Sequence, residues 1–133
     1  MMKRIGVLVS LALLATGAQA QSLKEKYELS ERCGKLAAER FAKDVSPEVD
    51  REAIKYENYY NSRLNKCFYI EITNNHERGK GPLRVMRLYD LHENGEIAGY
   101  HKWEDDLVYC WVQGKLCASE QEWRALIKQF MED

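Results

Sequence analysis

The chain has 133 residues, 45% hydrophobic and 31% charged, and its 20 basic and 21 acidic residues leave a formal charge of −1. Lys and Arg are scattered among acids rather than clustered. Binding to nucleic acid needs a concentrated basic surface, so it is excluded as an expected partner. A chain of this length supports one domain with one modest core.

The first twenty residues, MMKRIGVLVSLALLATGAQA, begin with Lys3 and Arg4, run apolar from Ile5 to Ala15, and close on Ala18-Gln19-Ala20. This is the order a secretory signal takes: positive end, apolar core, small-x-small cleavage site. The apolar core of about eleven residues is too short for a bilayer, which needs roughly twenty. Cleavage at Ala20-Gln21 is the expectation, leaving a mature domain, residues 21–133, that is periplasmic or secreted and has no membrane attachment. No cysteine follows the cleavage point to take a lipid. Removing Lys3 and Arg4 leaves 18 basic against 21 acidic residues, a net charge of −3.

Ser22-Leu-Lys-Glu25 reads as a capping box, whose serine and glutamate satisfy free N–H groups at a helix start. Leu29, Cys33, Leu36, Ala37 and Phe41 then recur at helical spacing, so the periodicity predicts a helix to about Asp44 with Cys33 on its buried stripe. Ser46-Pro47-Glu48 is a second start signal, with proline at the first helical position, and predicts a short helical turn.

The stretch YENYYNSRLNKCFYIEI, residues 56–72, has two readings. Val49, Ala53, Tyr56, Tyr60 and Leu64 would line one face of a helix. Alternatively, a strand carrying Ile54, Tyr56 and Tyr60 turns at Asn61–Lys66 and returns as Cys67–Thr73, where Phe68, Ile70 and Ile72 alternate with Tyr69, Glu71 and Thr73. Asparagine is a weak helix former and tyrosine favours sheets, so the hairpin is the expectation.

A polar loop, residues 74–82, leads to a strand from Leu83 to Leu91. Glu93-Asn-Gly-Glu96 is the next turn, and Ile97–Trp103 its partner strand. Asn-Gly suits a two-residue hairpin turn because both central residues take positive φ. That register sets Tyr89 opposite Tyr100 and Leu91 opposite Ala98. Ser119-Glu-Gln-Glu122 is another capping box, and Trp123, Leu126, Ile127, Phe130 and Met131 follow on one helical face. The predicted fold is α+β: an antiparallel sheet of about four to five strands, with an N-terminal and a C-terminal helix.

Four cysteines in a short exported chain point to two disulfides. In YCWVQGKLC, a turn at Gln113-Gly114 puts Cys110 opposite Cys117, which leaves Cys33 for Cys67. No C-x2-C pair is present, which argues against zinc.

Three landmarks, the cysteine in the first helix, Tyr56–Phe68 with its YxNxYNxxLNKCF pattern, and the Cys117–Glu132 helix with CxSExEW, resemble small exported bacterial proteins of uncharacterised function. The resemblance spans most of the mature chain. It implies an N-terminal helix tied to the sheet, and no activity. In such proteins the Tyr59 position is associated with histidine, so any histidine chemistry there does not carry over.

Three places have residues suited to chemistry or binding. Asp90, His92 and Asn94 stand at positions 1, 3 and 5 of a calcium-loop pattern, with Gly95 at 6, but His101 occupies position 12, where a bidentate glutamate is needed. An ordinary hairpin accounts for these residues. The histidines, His76, His92 and His101, form no metal set: in the expected hairpin His92 and His101 are separated by roughly 13 Å at ~3.4 Å per residue. No cofactor or metal is therefore expected. Trp111, inside the small disulfide loop, is the candidate anchor for a protein partner, with core packing as its rival role. Tyr59 and Tyr60, among the tyrosines of the 56–69 stretch, are candidate stacking residues, against half-buried packing. The functional expectation is an exported binding or interaction protein, with an enzyme inhibitor as one version, whose partner is a protein or an envelope component. The alternative is a small hydrolase of envelope polymers that uses two carboxylates.

Overall fold

The computed structural model describes residues 21–48, 52–76 and 81–133. The signal-like segment 1–20, its cleavage site, and Val49 lie outside them. Helix α1 (Leu23–Asp44) comes first, followed by β1 (Ile54–Asn61), β2 (Lys66–Asn75), β3 (Leu83–Asp90), β4 (Gly95–Trp103), β5 (Asp106–Val112), β6 (Lys115–Leu116) and α2 (Glu120–Met131). The strands form one antiparallel sheet in sequence order, a meander. The class is α+β with two disulfides, and the described residues hold six strands rather than four or five. The additional one is the two-residue β6, which the Gln113-Gly114 turn folds back on β5.

Both helices start where the capping serines place them. Ser22 Oγ accepts from Glu25 N at 3.1 Å and Ser119 Oγ from Glu122 N at 3.1 Å. Glu122 answers by accepting from Ala118 N at 2.9 Å. Pro47 and Glu48 form a turn, and residues 49–51, which would continue the expected helical turn, lie outside the described residues.

The two helices lie on opposite faces of the sheet. Helix α2 sets Trp123, Ile127 and Phe130 against Phe68, Ile70, Met86, Leu88, Ala98, Tyr100, Cys110 and Val112, the main core. Helix α1 packs chiefly across β1 and β2, with Arg40 reaching over Tyr89 of β3 and to Asn94 in the following turn. Its buried residues, Cys33, Ala37 and Phe41, are spaced by four and make a single narrow row. Leu36, expected on that stripe, is exposed because it lies one position off the row. Tyr69 of β2, on the side turned from α2, is fully buried beneath α1 with Ala37, Phe41 and Val45. The centre of β2, Cys67–Ile70, is therefore buried on both faces.

Residues 54–61 are a strand, and the hairpin turns at 62–65 as expected, with Asn65 at φ 52°. Asn61 fastens this turn to the end of α2. Its buried amide donates to the carbonyls of Gln129, Phe130 and Glu132 at 3.1–3.2 Å, and its oxygen accepts from Leu64 N at 2.9 Å. Those carbonyls belong to the last turn of α2 and its C-cap Glu132, where intrahelical donors run out. Ser62 adds two bonds of 2.9 Å to the Asp133 carboxylate.

The β3–β4 register differs from the expected one. Leu88, not Leu91, faces Ala98; Met86 faces Tyr100; and Tyr89 faces Glu96 across a bulge. The turn begins earlier, at Leu91, because the Asp90 carboxylate accepts from the N–H groups of His92 (2.9 Å) and Glu93 (3.3 Å). An aspartate bonded to the backbone two residues on is itself a turn former. Asn94 alone takes positive φ, 52°, and Gly95 opens the next strand.

Cys33–Cys67 joins α1 to β2 with Cα atoms 5.3 Å apart. Cys110–Cys117 closes the β5–β6 hairpin at 5.0 Å, over a turn with φ 40° at Gln113 and 80° at Gly114. The pairing and the two-residue turn both match the sequence reading. Cys33→Ala with Cys67→Ala is expected to cost about 3–4 kcal/mol of unfolding free energy, against about 2.5 kcal/mol for the short loop, measured by urea denaturation. Asn61→Ala should cost about 1–3 kcal/mol, because buried carbonyls lose their donor. Its denaturation midpoint should fall with the slope unchanged.

Candidate binding face

Tyr60 is unsuited to binding. It is 7% exposed and rests on the Cys33–Cys67 bridge. Its hydroxyl donates to Asn65 Oδ1 at 2.5 Å and accepts from Gln21 Nε2 at 3.1 Å. Tyr59 lies on the opposite side of β1, half-buried near the C-terminus. Burial first, then the Asp133 carboxylate beside it, hold its phenol above the usual range. Burial disfavours the Asp133 charge, yet the bonds from Ser62 outweigh it and keep that carboxyl below the usual range. The two neighbouring tyrosines thus serve different seams, one at each helix, and neither joins Trp111.

Trp111 lies on neither the core side nor the hairpin tip. It faces Gly99 of β4 and Leu116 of β6, on the sheet face that carries α1. Because α1 lies over β1 and β2 and reaches β3 only through Arg40 above Tyr89, most of the β3–β5 half of that face has no helix over it among the described residues. Cross-strand pairing brings Glu71, Arg87 and Gly99 into one row, with Trp111 at its end. The adjacent row holds Val85, His101 and Tyr109.

Gly99 shapes this surface. A Cβ placed on it would stand 2.7 Å from Trp111 Nε1 and 3.0 Å from Tyr109 Cε2, closer than side chains tolerate. Glycine in a strand often marks such an approach. With no side chain in the way, both β5 aromatics lie across β4 towards β3. There the Tyr109 and Tyr89 hydroxyls stand beside the Arg87 guanidinium. The Tyr109 contact is the largest influence holding Arg87 firmly protonated, partly opposed by burial. Tyr89 is itself raised, chiefly by burial. It ends an aromatic series that begins under α1: Phe41–Tyr56 at 4.8 Å, Tyr56–Tyr69 at 5.5 Å and Tyr69–Tyr89 at 6.1 Å between ring centres. Arg40 lies over Tyr89 at 4.8 Å. On the far side, His101 meets Tyr109 edge-on at 5.2 Å, and its buried Nε2 has no hydrogen-bond partner among the described residues.

The residues of the calcium-like pattern do other work. Asp90 is buried and its second oxygen pairs with Lys66 Nζ at 2.8 Å. Burial alone would raise this carboxyl, but Lys66 and the two turn N–H groups overcome it and hold the pKa below the usual value. His92 sits in the turn and His101 in β4 opposite Val85. Among the described residues, no three His, Cys, Asp or Glu side chains converge as metal ligands would.

No protein-family model, curated protein or solved structure matches the chain. The candidate face therefore rests on its own geometry. Sequence reasoning singled out Trp111 but missed Arg87, Tyr109 and Gly99. Two signals were present: a charge between the inward Met86 and Leu88, and a glycine inside a strand.

Asp90 makes stability depend on pH in a stated direction. Its folded pKa lies below the unfolded value of about 3.9, so its contribution is complete above that value and disappears as pH falls through the folded pKa. Asp90→Asn is expected to lower Tm at neutral pH. The difference from wild type should close in acid, as pH falls below the unfolded value and through the lower folded pKa, in a calorimetric pH series.

Proposed function

We propose that the chain is an exported binding module that recognises a protein partner through the uncovered face of β3–β5. Export is supported by the signal-like first twenty residues and by two disulfides, which persist in oxidising compartments. Among the described residues no helix is long and apolar enough to cross a membrane.

One observation carries the binding reading: Arg87, Tyr109 and Trp111 meet on one rigid sheet face with no helix over them. Trp, Tyr and Arg are the residue types that dominate the energetics of protein interfaces. Side chains presented by paired strands lose little freedom on association, so less of the contact energy is spent on ordering. An inhibitor of another organism's enzyme is one version of such a module. The hydrolase alternative needs a carboxyl held protonated to act as acid. The two carboxyls with clear shifts, Asp90 and Asp133, move the opposite way.

The test is capture from envelope extract by residues 21–133, with the bound protein identified by mass spectrometry. Trp111→Ala and Arg87→Ala should each abolish capture. Trp111→Ala should cost well under the roughly 3–5 kcal/mol of truncating a fully buried tryptophan. Capture that survives both substitutions would retire this face, and a Trp111→Ala protein that unfolds would show the side chain to be core.

A further inference from the structure

We infer that the ligand of this face is an acidic segment of polypeptide, whose Asp or Glu carboxylate pairs with Arg87; this rests on the binding-module reading above. Arg87 is exposed at the middle of the face and makes no ion pair among the described residues. Three other arginines are ion-paired, Arg40 with Asp44, Arg84 with Glu120 and Arg124 with Glu57, while Arg63 donates to the Gln129 carbonyl at 2.8 Å at the end of α2. The acid in register opposite Arg87 is Glu71, and it accepts instead from the Tyr69 hydroxyl at 3.2 Å. The fold thus places a guanidinium near tyrosine hydroxyls with no ion pair, although the Glu71 and Glu96 carboxylates stand on the neighbouring strands, Glu96 Oε1 lying beside Gly99.

Guanidinium presents five N–H donors in a planar fork. The nearby tyrosine hydroxyls are neutral, and a carboxylate matches the fork in a two-bond, charge-assisted geometry. The rings of Tyr89, Tyr109 and Trp111 border the site. Once a ligand covers them they exclude water, and the pair strengthens as the local dielectric falls. A single cation suits a single negative charge. Phosphate, with nearly two charges, is read by clusters of arginine, and here Glu71 and Glu96 stand on the strands either side of β3. The mature chain is itself slightly acidic, so the attraction is local to Arg87 and does not extend across the surface.

The probe is a random peptide library displayed on phage and panned against disulfide-bonded residues 21–133. Enriched sequences are resynthesised and their binding measured by titration calorimetry. The expected result is an Asp or Glu at a constant position. Changing it to Asn or Gln, or Arg87→Ala in the protein, should each weaken binding roughly 10–100-fold. Combining the two should add little, the signature of a direct pair. Arg87→Lys should recover only part of the loss, because ammonium lacks the fork.

Enriched peptides without an acid, additive effects of the two changes, or no enrichment at all would each overturn the inference. If acid-free peptides still lose binding on Trp111→Ala, the binding face stands and the carboxylate does not. If binding ignores both Trp111→Ala and Arg87→Ala, both readings fall. Light scattering of the free protein supplies the remaining arm. A dimer that Arg87→Ala dissolves would assign the face to a second copy of this chain and overturn the acidic partner.

Discussion

The Cys33–Cys67 bridge decides where α1 lies, and the two unlike faces of the sheet follow from that. Helix α1 is 22 residues long but buries only Cys33, Ala37 and Phe41. So narrow a row gives little apolar area with which to hold a long helix. The bridge compensates by fastening the middle of the helix to β2. It also fixes the position: α1 lies over β1 and β2, and beyond them only side chains such as Arg40 extend, to Tyr89 and Asn94. The main core beneath α2 uses the opposite face and does not depend on this link.

The polar stretch between the two cysteine-bearing elements is a seam in the literal sense. Tyr60 seals the disulfide, Asn61 closes the end of α2, Ser62 holds the last residue, and Asn65 supplies the left-handed turn position. Its richness in Tyr and Asn reflects these tasks. A buried asparagine that completes four hydrogen bonds costs little, whereas one left unpaired would be expensive. The tyrosines divide between the two faces because adjacent strand residues point to opposite sides.

On the uncovered half of the sheet the same economy of side chains produces an aromatic surface. Gly99 removes one side chain from the middle of the face, and its neighbours on β5 occupy the room. Tyr109 and Trp111 then lie along the sheet instead of standing from it, and Arg87 has hydroxyl neighbours from β5 and from its own strand. Arg87 remains charged at any physiological pH.

Much of this was written locally in the sequence. The two capping serines, the helical spacing on α1 and α2, the alternation along β2, and the Gln113-Gly114 turn that pairs Cys110 with Cys117 all depend on residues within one or two turns of chain. For that reason the fold class and both disulfides were legible. Three features were not. The β3–β4 register follows from Asp90, whose carboxylate is held by Lys66 of another strand and by the turn N–H groups. The roles of Tyr59 and Tyr60 depend on which helix ends up beside each. The candidate face exists only because α1 stops at β2 and because Gly99 meets Trp111 across a strand boundary. Local period and capping chemistry were enough to determine the elements and their order. Which side chains share a surface was decided by the tertiary structure, since that depends on contacts between residues that nothing in their own neighbourhoods brings together.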